Sequence, residues 1–248
     1  MLMTASSLGY RPSTLTLMAI LTRSAGETTR KFRAHIRDAE SRFKRLLRTE
    51  NNPDAFTLQG VLLLQEGRPE SEQLLYYNRA IEAARSIPPP PSPTSDHPTP
   101  NNQTTPTTPR QPKWTYEATC HLRRGLILLK QGQTDQALAS FQIVALELGL
   151  AEGYVELAKL LPTSAPERET YLLKAAQAGN FEACRLLALH LADKASDAAL
   201  ASDERVFAAR MAQEWAQVDP DVSRREGVVE EVVERTGEVL GGRVWFRG

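Results

Sequence analysis

Three observations predict an all-α fold for this chain of 248 residues. Apolar residues recur at alternating steps of three and four, small residues recur roughly every thirty positions, and prolines gather in one long stretch and at the starts of helical patterns. Together they imply a right-handed α-solenoid of four to six antiparallel helix pairs, interrupted by a long Pro-rich loop. A content of 41% hydrophobic and 24% charged residues is enough to bury a core. The 30 basic and 30 acidic side chains cancel, which excludes a protein that coats nucleic acid or anionic membrane over its whole surface and leaves only local patches for such partners.

Residues 1–50 hold the N-terminal helices. Pro12 and Ser13 open a helix running to about Arg23. Residues 1–26 also carry Arg11, Arg23, eight Ser/Thr and no acid, so three readings of this segment stay open. It is the first helix of the fold, a mitochondrial presequence, or, through "LTLMAIL" followed by "TRSAG", a short secretory segment. Residues 27–49 form a basic helix whose apolar stripe is Phe32, Ile36, Ala39, Phe43 and Leu46, with Ser24 and Glu27 as a capping box.

The next pair spans 51–86, with Asn52 as cap and Pro53 in the first turn of one helix, and Pro69 in the first turn of the other. Residues 87–113 hold ten of the sixteen prolines and no large apolar residue after Ile87, the composition of a disordered spacer. Ser92, Thr99, Thr105 and Thr108 each precede proline and offer proline-directed phosphorylation sites; the Asn102-Gln103-Thr104 sequon matters only in a secreted chain. Helices at 114–131 and 134–148 make the pair of section 114–150. Pairs at 151–161 with 166–178 and at 181–193 with 202–217 fill section 151–217. The final section, 218–248, carries Val228, Val229, Val232, Val233 and Val239 as a capping helix before the tail "GGRVWFRG".

Gly60, Gly125, Ala158 and Ala188 take the same place in the first helix of each pair, followed three residues later by Leu63, Leu128, Leu161 and Leu191. The separations are 33 and 30 residues for the last two steps, and 65 for the first, which falls to about one repeat without the proline-rich stretch. A small residue is needed where paired helices approach most closely, and the leucine fills the space one turn on.

In "HLRRGLILLKQGQTDQALASFQIVALEL", Gly125, Leu128, Gly132, Ala137 and Phe141 lie at the spacings of the tetratricopeptide repeat, and residues 118–148 resemble that family. "FTLQGVLLLQEGRPESEQLLYYNRAIEAA" is similar, with one extra residue in the turn and Gly60, Gly67, Tyr77 and Ala80 at equivalent places. "AEGYVELAKLL" and "YLLKAAQAGNFEACRLLALHLAD" resemble the related SEL-type repeats through Ala175, Ala176, Gly179 and Ala183, although alanine replaces the usual glycine at Ala158 and Ala188. The two resemblances cover about two thirds of the chain. They imply a non-catalytic interaction scaffold, adaptor or assembly factor that binds a partner helix or peptide on the concave surface of the first helices. The residues expected there are Thr57, Val61, Leu64, Leu122, Leu126 and Leu129. Family members that clamp acidic C-terminal tails use Lys and Asn at these places, so that activity is not implied. The apolar strip suits an amphipathic helix or another part of this chain, such as the valine-rich C-terminal helix.

The segment "GLILLKQGQTDQA" is not a phosphate loop. Such a loop needs two glycines five residues apart with Lys and Ser/Thr directly after the second, whereas Lys130 here precedes Gly132. Gly132 instead closes a helix in the left-handed conformation, Thr134 caps the next, and Lys130 faces solvent.

His35, His97, His121 and His190 are scattered, no Cys/His pair has finger spacing, and no G-x-S-x-G, H-E-x-x-H or dinucleotide fingerprint occurs. The reading is therefore a chain with no catalytic residue, no cofactor and no metal, with an enzyme subunit built around an interhelical site as a weaker alternative. Glu230, Glu231 and Glu234 form a solvated acidic face. Cys120 and Cys184 sit in apolar helical patterns as small buried hydrophobes, which fits a reducing, intracellular compartment, the mitochondrion among them. No run of 18 apolar residues predicts a membrane span. The strongest local charge lies over residues 30–48, where Arg30, Lys31, Arg33, Arg37, Arg42, Lys44, Arg45 and Arg48 face only Asp38 and Glu40, a net +6. It is either the solvated face of a capping helix or a contact for RNA, a ribosome surface, anionic lipid or an acidic protein.

Overall fold

The structure is a computed structural model that describes residues 6, 11–21, 33–49, 51–87 and 109–241. Among these every regular element is helical. In order they are α1 (Arg11–Leu21), α2 (Arg33–Thr49), α3 (Pro53–Gln65), α4 (Glu70–Ala84), α5 (Glu117–Lys130), α6 (Thr134–Gln142), a π-helical turn (Ile143–Glu147), α7 (Ala151–Leu160), α8 (Pro166–Gln177), α9 (Phe181–Ser196), α10 (Ser202–Ala216) and α11 (Val222–Thr236). The chain divides into two compact units, 1–140 and 141–248, parting inside α6. The Ser24/Glu27 capping box and most of the proline-rich stretch lie outside the described residues.

In the first unit, Leu15 and Met18 of α1 pack with Ala39, Phe43 and Leu46 of α2 and Ala55 and Leu58 of α3. Leu15 and Met18 thus contribute to this core. α3 starts as expected: Asn52 Oδ1 accepts the Ala55 N–H at 3.0 Å, and Pro53 occupies the first position. Pro69, expected inside the first turn of α4, stands one position earlier at its cap, and its carbonyl accepts the Gln73 N–H.

α3 and α4 form a hairpin around Gly60. A methyl group there would lie 2.5 Å from Cε1 of the wholly buried Tyr77 ring, so a small residue is what lets the two helices close. Three helices end the same way. At Gly67 (φ +66°), Gly132 (+74°) and Gly179 (+83°), the glycine N–H bonds three residues back and the following N–H five residues back, satisfying two orphan carbonyls per helix. Gly132 fulfils the role assigned to it, but Thr134 does not cap. It is the first helical residue, and Gln133 holds the cap position with its carbonyl on the Ala137 N–H. Lys130 does not simply face solvent; its Nζ pairs with Glu70 of α4 at 2.7 Å.

The end of the proline-rich stretch is ordered. Glu117, 2% exposed at the start of α5, accepts two bonds from the Arg110 guanidinium at 2.8 and 3.0 Å and the Lys113 N–H at 2.6 Å. Trp114 joins the core formed by Phe56, Tyr77, Ala80 and Ile127, and the Tyr116 N–H reaches Asp54 Oδ1 at 2.9 Å. The spacer expected over 87–113 therefore ends earlier, because residues 109–113 supply partners to a buried carboxylate.

In the second unit, α7 to α11 bury one continuous core that includes Val155, Leu172, Leu187, Ala212, Val228 and Val232. The helix expected over 134–148 turns π-helical at Ile143 and ends at Gly149, which takes φ +69°. Beside it, Gly153 of α7 lies against that turn so closely that a Cβ would sit 2.5 Å from the Ala145 backbone nitrogen. Leu161 does not fill a repeat position: Pro162 forces it extended just beyond α7, and it is only half-buried. Ala158 and Ala188 are buried as expected, at 1% and 0% exposure, as are Ala137, Phe141 and Ala176. Within this unit α11 packs against α9 and α10 through Val228 and Val232.

Candidate functional site

The strip expected to meet a partner is distributed over α3 and α5, which touch each other in the first unit. On α5, Leu122, Leu126 and Leu129 share one helix face and are half-buried, while the far side places Cys120, Ile127 and Leu128 in the interior and Gly125 is buried beside the strip. On α3, Val61 is half-buried and Leu64 is 39% exposed. Thr57 departs from this set. Fully buried, it donates its hydroxyl to the Pro53 carbonyl at 2.9 Å, so it belongs to the interior rather than to the strip. A polar side chain one turn from a helix start can satisfy itself on its own backbone, and this hid its burial from the sequence pattern. Arg124, on the polar side of α5, is fixed by Asn78 Oδ1 at 2.8 Å and Ser140 Oγ at 2.6 Å, which holds α5 in register with α4 and α6.

The expected basic face lies on α2. Arg30 and Lys31 are outside the described residues, and Arg33 is where the described helix begins. Arg37, Lys44, Arg45 and Arg48 are exposed, and none of them forms an ion pair among the described residues. Arg42 differs. It is half-buried and donates from Nε to Ser6 Oγ at 3.3 Å, because its place on the helix turns it toward the N-terminal segment.

A feature with no signal in the sequence pattern is an open cleft of about 680 Å³ between α8 and α9. Glu169 lines it, pairing with Lys194 Nζ at 2.9 Å and lying 3.5 Å from His190 Nε2, and Leu173 and Leu200 supply apolar wall. Burial pushes the His190 imidazole below its ordinary value, against the pull of Glu169, so the ring is neutral at pH 7. Asp193 is held by Arg235 of α11, and Asp197 accepts the Ala199 N–H. The carboxylates of the cleft are thus already engaged within the unit. Glu231 is likewise not a plain solvated acid, since it pairs with Arg235, while Glu230 and Glu234 are exposed.

Cys120 and Cys184 are both free and buried; burial pushes the Cys120 thiol up to about 12 and raises Cys184 as well. Among the described residues, no group of three or more His, Cys, Asp or Glu side chains is placed to hold a metal ion, and no helix is long and apolar enough to cross a membrane. No protein-family model matches this chain, and no curated protein matches it.

Proposed function

We infer that this chain is a non-catalytic interaction scaffold, an adaptor or assembly factor built from tetratricopeptide-like and SEL-like helical hairpins, and that it holds a partner helix or peptide along α3 and α5. The observation that carries the reading is the strip of Val61, Leu64, Leu122, Leu126 and Leu129. Five aliphatic side chains on two touching helices keep part of their surface in water, where each would gain from being covered. Leucines at i, i+4 and i+7 on α5 suit the apolar edge of an amphipathic helix, and the rigid hairpins hold them in place without the partner. Support also comes from the shared helix endings at Gly67, Gly132 and Gly179 and from the close approach at Gly60, which are what stacked hairpins require.

The test is partner capture from the native cell with Leu126→Asp, beside Leu75→Asp as control. Leu75 is 52% exposed on α4, outside the strip. The reading expects Leu126→Asp to lose the partner with its helix content unchanged and Leu75→Asp to keep it. Unfolding of Leu126→Asp would identify the strip as core.

A further inference from the structure

We propose that the exposed face of α2 is a docking surface for the phosphate backbone of a double-helical nucleic acid, separate from the apolar strip on α3 and α5. Four cations define it. At 100° per residue, Arg37, Lys44 and Arg48 fall within a sector of about 40°, and Arg45 stands beside them. Arg37 and Lys44 are about 10 Å apart along the axis, and Lys44 and Arg48 about 6 Å, so the line of charge runs for about 16 Å. All four are exposed and without an ion pair among the described residues, although acids are as numerous as bases in the whole chain. Unneutralised charge in a straight line is what a polyanion with regularly spaced phosphates can use, and three of the four are arginines, whose forked donors suit phosphate oxygens.

The neighbours on that face select among polyanions. Among residues 37–49 of α2, the part whose side chains are described, the exposed ones are Arg37, Asp38, Glu40, Ser41, Lys44, Arg45, Arg48 and Thr49, with no aliphatic or aromatic side chain among them. A protein interface needs apolar anchors at its centre, and a helix lying on a bilayer needs an apolar face to insert. The apolar face of α2 is instead occupied: Ala39, Phe43 and Leu46 are buried against α1 and α3. Single strands are held largely by aromatic stacking, which this surface lacks. A duplex backbone needs only cations and space, so it fits what is present.

The test uses the full chain and fluorescence anisotropy with a labelled 20-base-pair RNA duplex and the DNA duplex of the same sequence. A single strand, polyglutamate and vesicles containing phosphatidylserine serve as competitors. Three phosphate contacts give a slope of log K against log salt near −2.7, or about a 40-fold loss between 50 and 200 mM. We expect a slope at least that steep. We also expect it to flatten by about 2.7 in the Arg37→Glu/Lys44→Glu/Arg48→Glu triple variant, and by less in the corresponding glutamine variant, both with an unchanged circular dichroism spectrum. The matched control Arg79→Glu/Lys174→Glu/Arg210→Glu should change the slope by less than one. Equal losses in the two charge-reversed triples, a salt-independent affinity, or tighter binding to single strand, polyglutamate or vesicles than to either duplex would overturn the proposal.

Discussion

Two glycines of the second unit make opposite predictions for the same substitution. In α7, a Cβ on Gly153 would lie 2.5 Å from Ala145 N, 2.8 Å from Val144 C and 2.9 Å from Ala145 Cα. All three are backbone atoms of the π-helical turn, so relief requires moving that turn rather than rotating a side chain. In α11, a Cβ on Gly227 would meet nothing within 4 Å. Alanine gains about 1 kcal/mol over glycine within a helix. Overpacking costs about 1–3 kcal/mol, and a clash with backbone belongs at the upper end. Gly153→Ala should therefore lose about 2 kcal/mol net, and Gly227→Ala should gain between about 0.5 and 1 kcal/mol. Urea unfolding followed by circular dichroism measures both, and a chain of this size converts each kcal/mol into about 2–4 °C of Tm. A stabilised Gly153→Ala would refute the close approach of α7 to the π-helical turn, and with it the packing at the start of the second unit.

The two hairpins of the first unit were legible in the sequence because each carries its own punctuation. Asn52-Pro53 starts α3, Gly67 and Gly132 end α3 and α5, and helix bounds predicted at 151–161 and 166–178 fall within a residue of α7 and α8. The π-helical turn at Ile143–Glu147 was not legible. Its sequence continues the apolar pattern of α6, and the residue that lies closest against its backbone, Gly153, stands six residues past its end in another element. Thr57, which the repeat resemblance places on the outer strip, is buried and closes its hydroxyl on the Pro53 carbonyl of its own helix, a local bond that no apolar pattern announces. Glu117 gave no sign of burial because its partners, Arg110 and the Lys113 N–H, belong to a segment whose composition reads as spacer. The cleft around Glu169 depends on two helices brought together by the fold, which no local spacing encodes.

Three further outcomes follow from the same contacts. Replacing residues 88–108 with a short Gly/Ser linker should change stability by less than about 1 kcal/mol, whereas extending the replacement to 112 removes Arg110 from buried Glu117 and should cost about 2–4 kcal/mol more by denaturant titration; equal effects would contradict the clamp. Native protein at pH 8 should react with a thiol reagent only on unfolding, because a thiol at about 12 has a thiolate fraction near ~10⁻⁴ there; a rapid stoichiometric reaction of Cys120 would contradict its burial. His190, lowered by burial, should titrate below 6.5 by NMR. The unfolded chain then binds a proton that the native state does not, so this group contributes nothing above pH 6.5 and lowers stability as pH falls from 6.5 to the native midpoint. Glu169→Gln should lower that midpoint further, and a midpoint above 6.5 in the wild type would contradict the burial of the ring.

The scaffold reading concentrates on one face of α5, and a photo-crosslinking residue placed at Leu126 in the living cell interrogates that face directly. Leu75 on α4 serves as the comparison position, since it is more exposed and lies off the strip. The account predicts a discrete crosslinked partner from position 126 and none from position 75, with the crosslink suppressed when Leu122 is changed to aspartate. A partner that co-purifies with the chain yet crosslinks from position 75 and not from position 126 would contradict it.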